Sequence, residues 1–142
     1  MLKNKKRNVL VIGVSKLGAE IANYESFNGV DLSIIDLNVD AFRKLDEHFS
    51  GYKIIGNALD FSTLKKAHIE EVTDICIVTN DDATNVFLTF LINHYYSDKR
   101  ITVRLNDEKK IKILPKNQNI TTICPSIYSF NEYLEECKKW IY

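Results

Sequence analysis

"NVLVIGVSKLG", residues 8–18, runs from an unbroken apolar segment into a turn with glycines at 13 and 18. An apolar run this short reads as a strand buried on both faces, the habit of a parallel sheet. Gly13 and Gly18 occupy the first and third glycine positions of G-x-G-x-x-G, and Ser15 stands at the middle one. In that pattern the first glycine makes a tight turn, the second lets backbone approach a pyrophosphate, and the third lets the helix pack closely. Serine in the middle either narrows the approach or offers its hydroxyl to a phosphate oxygen. Lys16 adds positive charge at a helix N-terminus, itself favourable to anions. On its own the loop reads equally well as a plain strand-to-helix turn.

The same alternation continues along the chain. Apolar runs at 8–12, 31–36, 52–56, 74–79, 100–105 and 120–125 read as strands. Amphipathic stretches at 17–27, 39–49, 60–69, 83–96, 108–114 and 129–141 read as helices. Six strands and six helices in strict alternation, with right-handed crossovers, predict an α/β, Rossmann-like doubly wound fold. The sheet should be mostly parallel and six-stranded, in order 3-2-1-4-5-6, with helices on both faces. Residues 1–7 form a basic, solvated tail, 8–125 the Rossmann nucleotide-binding domain, and 126–142 a C-terminal helix. Pro115 and Pro125 fall at a helix end and a strand end, where proline is tolerated.

Bulk composition narrows the function. The chain has 142 residues, enough for one core, and its 19 basic and 19 acidic side chains cancel. Nothing in that balance suggests a nucleic-acid or membrane-surface partner. No apolar run approaches the roughly 20 residues of a membrane-spanning helix. The basic start followed by "NVLVIGV" is too short in its apolar part for a signal peptide. Cys76, Cys124 and Cys137 are odd in number and widely spaced. They make neither a disulfide framework nor a metal site, which fits a reducing cytoplasm.

In this fold, ligands sit beyond the carboxyl ends of the strands, near the switch point between strands 1 and 4. Five sequence positions matter there. The first is the loop itself, Gly13-Val14-Ser15-Lys16-Leu17-Gly18. The second is Asp36, which ends strand 2 eighteen residues after Gly18, with Leu37 behind it. That spacing is close to the roughly 20 residues at which an acid accepts hydrogen bonds from an adenosine ribose. Its alternative is a cap for the next helix. No basic residue stands at 37 or 38 to meet a 2′-phosphate, which favours NAD or an adenine mononucleotide over NADP. The third is Gly56-Asn57-Ala58, the fourth Thr79-Asn80-Asp81-Asp82 with Asn85, and the fifth Arg104. Taken singly these read as caps, with Asp81 or Asp82 capping the helix, and as a surface ion pair. No catalytic residue is assigned, because His48, His68 and His94 all fall in helices and none at a strand's carboxyl end.

Taken together, "GVSKLG", "IID", "GNA", "LKKAHI", "DICIVTNDDATN", "VRL" and "CP" resemble, in order and spacing, the TrkA-N family, also called RCK N-terminal or KTN domains. The resemblance covers nearly all of residues 8–141. It implies a nucleotide-sensing regulatory subunit of a potassium transport system rather than an enzyme. It further implies that Gly13, Ser15, Lys16 and Gly18 face phosphates and that Asp36 holds the adenosine ribose of NAD(H), ATP, ADP or AMP. Asn57 and Ala58 would line the adenine edge, Thr79 and Asn80 would close the other side, and Arg104 would reach towards phosphates. Two departures stand out. Ser15 replaces a glycine, and Asn57 replaces the acid of the family's "G-D-A", keeping an acceptor for an adenine amino group and gaining a donor.

The resemblance also implies assembly. Family members pair through the helices after strands 4 and 5, and the last helix commonly crosses to the partner. Here 86–96 is apolar on more than one side, and Phe130, Tyr133, Leu134, Cys137, Trp140 and Ile141 share one stripe of the last helix. A homodimer or higher homo-oligomer is expected, in the cytoplasm, reaching the inner membrane through a channel or transporter subunit in trans. The chain stops where the family's usual second domain begins, which reads as a minimal version or a cut piece. Two other readings compete: a Rossmann scaffold kept only for protein contact, and a small NAD-dependent oxidoreductase.

Overall fold

A computed structural model describes residues 6–141. The sheet has six strands: β1 (Asn8–Ile12), β2 (Asp31–Asp36), β3 (Tyr52–Ile55), β4 (Asp74–Ile77), β5 (Arg100–Arg104) and β6 (Ile120–Ile123). Their order is β3-β2-β1-β4-β5-β6, the expected one. Every neighbouring pair is parallel, including β1 against both β2 and β4. Val9, Leu10, Val11 and Ile12 are all nearly inaccessible, as a strand covered on both faces requires. Alternate residues feed two cores. Leu10 and Ile12 join Ile75, Ile77, Leu88 and Ile92 on one face, while Val9 and Val11 join Ala19, Ala22 and Phe42 on the other.

The helices differ from the expected set. Four are α-helical: α1 (Lys16–Phe27), α2 (Phe61–Lys66), α3 (Asp82–Tyr95) and α4 (Pro125–Ile141). The stretches expected as helices at 39–49 and 108–114 are instead 3₁₀ turns, Val39–Lys44 and Glu108–Ile113. Each offers a narrow apolar contact at i and i+3, Phe42 with Leu45 (beside the small Ala41) and Ile111 with Leu114. Side chains three apart eclipse in a 3₁₀ helix, so one tight turn satisfies that pattern. The expected helix at 60–69 breaks at His68, whose left-handed backbone (φ +51°) turns Ile69 and Val72 back into the core. The last helix begins at Pro125, four residues earlier than expected. Proline at a first helical position has no N–H to leave unpaired.

The N-terminal basic segment falls partly outside the described residues, at 1–5. Arg7, counted with that tail, is not free in solvent. Its guanidinium makes two hydrogen bonds to Glu25, at 2.9 and 3.0 Å, and a third to Asp74 at 3.0 Å. This pins the end of α1 to the amino edge of β4, opposite the end at which the loops of interest gather.

Candidate functional site

The loop between β1 and α1 is as tight as backbone allows. Gly13 has φ +102°, and its N–H donates to the Ile35 carbonyl at 2.8 Å. A Cβ on Gly13 would lie 2.8 Å from the backbone of Thr79. One on Gly18 would lie 2.0 Å from the Gly13 carbonyl oxygen. Glycine at both positions is therefore a steric requirement of bringing β1, α1 and β4 together.

Ser15 has a different task from the two offered by its position in the motif. It is the N-cap of α1, and its Oγ accepts the Gly18 N–H at 3.0 Å. The same hydroxyl donates to the Val78 carbonyl at 2.7 Å. The side chain is buried beneath the turn, so it neither obstructs the outer face nor keeps a proton for a phosphate. Above it, the N–H groups of Lys16 and Leu17 open the first turn of α1, where no intrahelical acceptor exists.

Asp36 fastens this loop to the sheet. One carboxylate oxygen accepts the Val14 N–H at 2.8 Å, and the other accepts the Asn38 N–H at 2.8 Å. Lys44, which sequence reasoning passed over, donates to the Val14 carbonyl at 2.9 Å from the 3₁₀ turn after β2. A lysine at a turn end carries no signal of such a contact.

Across the switch point, Asn85 does the equivalent work. It is fully buried, and its Nδ2 donates to the carbonyls of Thr79, at 3.0 Å, and Arg104, at 2.8 Å. The Thr79 hydroxyl donates back to Asn85 Oδ1. Of the two candidate caps, Asp81 is the one that serves, accepting the Thr84 N–H at 3.0 Å and the Thr84 hydroxyl. Those hydrogen bonds hold the Asp81 carboxyl below its usual range. Asp82 is buried and ties down the loop after β5, accepting the N–H groups of Asn106 at 2.8 Å and Asp107 at 2.9 Å. Adjacent aspartates look alike in sequence, and only the backbone path separates cap from brace.

Between these loops lies a cleft of about 390 Å³ at the carboxyl ends of β1, β2, β3 and β4. Its lining includes Gly13, Asp36, Leu37, Asn57, Ala58, Thr79, Asn80 and Asp81 from the sequence candidates, with Leu59, Thr84 and Leu88 in addition. Leu37, 68% exposed, and Leu59, 40% exposed, line the cleft beside Asp36 and Asn57 as an apolar pair at the mouth. Asn57 Oδ1 is turned onto its own loop, accepting the Leu59 N–H at 3.0 Å.

Lys16, Leu17 and Arg104 are not brought into this cleft. They line a neighbouring groove of about 490 Å³ with Glu20, Ile123, Pro125 and Tyr128. Asn80 of the cleft and Arg104 of the groove are in contact, Asn80 Oδ1 accepting from the Arg104 guanidinium at 3.4 Å. Val14, Ser15 and Gly18 lie buried behind the turn.

The TrkA-N domain pattern matches residues 9–125. The chain belongs to the TrkA-N family. A Trk system potassium uptake protein TrkA homolog from Pyrococcus horikoshii is 26% identical over 114 residues, which are 80% of this chain and 50% of that protein. The TrkA-N chain thus spans about half the length of the uptake protein it matches. The GsuK structure bound to ADP superposes with a TM-score of 0.68 at 26% identity, covering 84% of this chain and 31% of that one. The TrkA-N domain of the inner membrane protein ybaL from Escherichia coli shares the fold, with a TM-score of 0.80 at 14% identity. It covers 94% of this chain and 98% of that one.

Proposed function

We propose that this TrkA-N chain is a nucleotide-binding regulatory part of a potassium transport system. The observation that carries the reading is the junction at Asp36: a ribose-spaced carboxylate, fastened to a glycine turn, at the edge of an apolar-mouthed cleft. In this reading the Asp36 carboxylate keeps two of its four acceptor sites for ribose hydroxyls. The purine lies between Leu37 and Leu59, and the phosphates run to the first amides of α1. ATP, ADP, AMP and NAD(H) share the adenosine that these features address. Lys16 and Arg104, in the adjoining groove, lie on the side to which a longer phosphate chain would extend. The titratable side chains lining the cleft are the carboxylates of Asp36 and Asp81, both engaged in hydrogen bonds, which supports binding over chemistry.

Regulation would come from assembly. Seventeen residues of α4 include none that is buried, and Trp140 is 87% exposed. Phe87 and Phe90 are also exposed on α3. Exposed apolar faces of this kind mark contact surfaces. A homo-oligomer that buries them, with α4 crossing between copies, would let a nucleotide bias one arrangement over another. A membrane potassium channel or transporter subunit would read the difference. Among the described residues no helix is long and apolar enough to cross a membrane itself.

Calorimetric titration with NADH, NAD, ATP, ADP and AMP tests the reading. One or more should bind, and Asp36→Ala should weaken that binding while the variant still unfolds cooperatively. No heat and no thermal shift with any of the five at millimolar concentration would reject nucleotide sensing and leave the scaffold for protein contact.

A further inference from the structure

Asn57 gives the proposed base subsite a polarity that the sequence alone did not assign. Its amide has one acceptor and two donors. One of the two lone pairs of Oδ1 is already engaged with the Leu59 N–H at 3.0 Å. Because only an oxygen can receive that N–H, the orientation of the amide is fixed by the contact. Asn57 lines the cleft, and its Nδ2 has no acceptor among the described residues. Asn57 lies two residues beyond Ile55, the cross-strand partner of Asp36, and Gly56 N–H donates to the Asp36 carbonyl at 3.0 Å. A purine whose ribose meets Asp36 and whose ring lies between Leu37 and Leu59 has its edge at this amide.

We infer that Asn57 makes the base subsite a hydrogen-bond donor, so that it takes 6-oxopurine nucleotides at least as well as 6-aminopurine ones. The inference rests on the nucleotide-binding reading above. A ring covering Nδ2 must supply an acceptor, because a donor buried without one is the costly outcome. The carbonyl oxygen of hypoxanthine or guanine supplies it at C6, where adenine instead presents an amino donor. Adenine is left to use a ring nitrogen. A carboxylate at position 57 would reverse the polarity, since an ionised aspartate only accepts.

ADP and IDP differ at this edge, and titration of both against the wild type and Asn57→Asp decides the matter. The carboxylate introduced by Asn57→Asp can still accept the Leu59 N–H, so the loop keeps its turn. The wild type should bind IDP as tightly as ADP or more tightly. In Asn57→Asp the ratio should swing towards ADP by about tenfold, the worth of one good hydrogen bond exchanged for a mismatched one. A wild type that prefers ADP by tenfold, or a ratio unmoved by the substitution, would overturn the donor assignment while leaving nucleotide binding intact. Failure of every purine nucleotide to bind would overturn both.

Discussion

Ser15→Ala separates a structural serine from a phosphate ligand. The hydroxyl makes two bonds, one from the Gly18 N–H and one to the Val78 carbonyl, and both lie under the turn. Loss of an N-cap serine costs about 1 kcal/mol. Loss of the bond to the Val78 carbonyl costs about 1 kcal/mol more, since a buried acceptor is deprived of its donor. The sum is about 2 kcal/mol. For a chain of this size that lowers Tm by about 4–8 °C. Urea and thermal unfolding followed by circular dichroism, without nucleotide, give the first number. Titration with the tightest-binding nucleotide gives the second, and affinity should hold within about threefold, because the Ser15 side chain does not line the cleft. Unchanged stability together with a tenfold loss of affinity would refute the assignment and return Ser15 to the phosphates.

Two further substitutions or modifications probe the same frame. Gly18→Ala places a methyl 2.0 Å from the Gly13 carbonyl oxygen, so backbone must move. The variant should lose about 3 kcal/mol or more, and a Tm equal to the parent's would show that the turn is looser than described. Thiol labelling followed by mass spectrometry should find Cys137 modified first at pH 8. Burial pushes the Cys76 thiol up to about 11, which leaves roughly one part in a thousand as thiolate at that pH. Labelling of Cys76 at the rate of Cys137 would contradict the raised Cys76 thiol.

The strand order could be read from the sequence because each strand carries its own evidence. Val9 to Ile12, Ile34 to Ile35 and Ile75 to Val78 are apolar without alternation, the habit of strands in a doubly covered parallel sheet. Strict alternation with helices then leaves few topologies. The 3₁₀ turns at 39–44 and 108–113 were not legible, since charged residues between two apolar ones suit a short α-helix equally well. Asp36, Asn57 and Thr79 were legible as cleft residues because their positions follow from strand ends. What each side chain does there was not. Ser15 and Asn57 both have a choice of partner, and the nearest backbone decides it: Val78 in one case, Leu59 in the other. That Lys16 and Arg104 line the adjoining groove rather than the cleft was not legible for a related reason. Long side chains at a loop reach whichever groove their backbone faces, and residue spacing does not encode that direction.

Asp36 connects these local decisions. A carboxylate offers about four acceptor sites, and the N–H groups of Val14 and Asn38 occupy one on each oxygen. Ribose hydroxyls, on the reading proposed, would share the same two oxygens. Any pull on the carboxylate is then felt at Val14, whose carbonyl is held by Lys44 and whose neighbours are Gly13 and Ser15. Gly13 lies against the backbone of Thr79, and Ser15 holds Val78, so the loops after β1, β2 and β4 are joined by direct contacts. Thr79 continues the path through Asn85 to the end of β5 at Arg104. From there the groove shared with Pro125 and Tyr128 leads to α4, the helix with no buried residue. On the function proposed, a nucleotide that tightens the Asp36 end would act along these hydrogen bonds and packing contacts towards the first turn of α4.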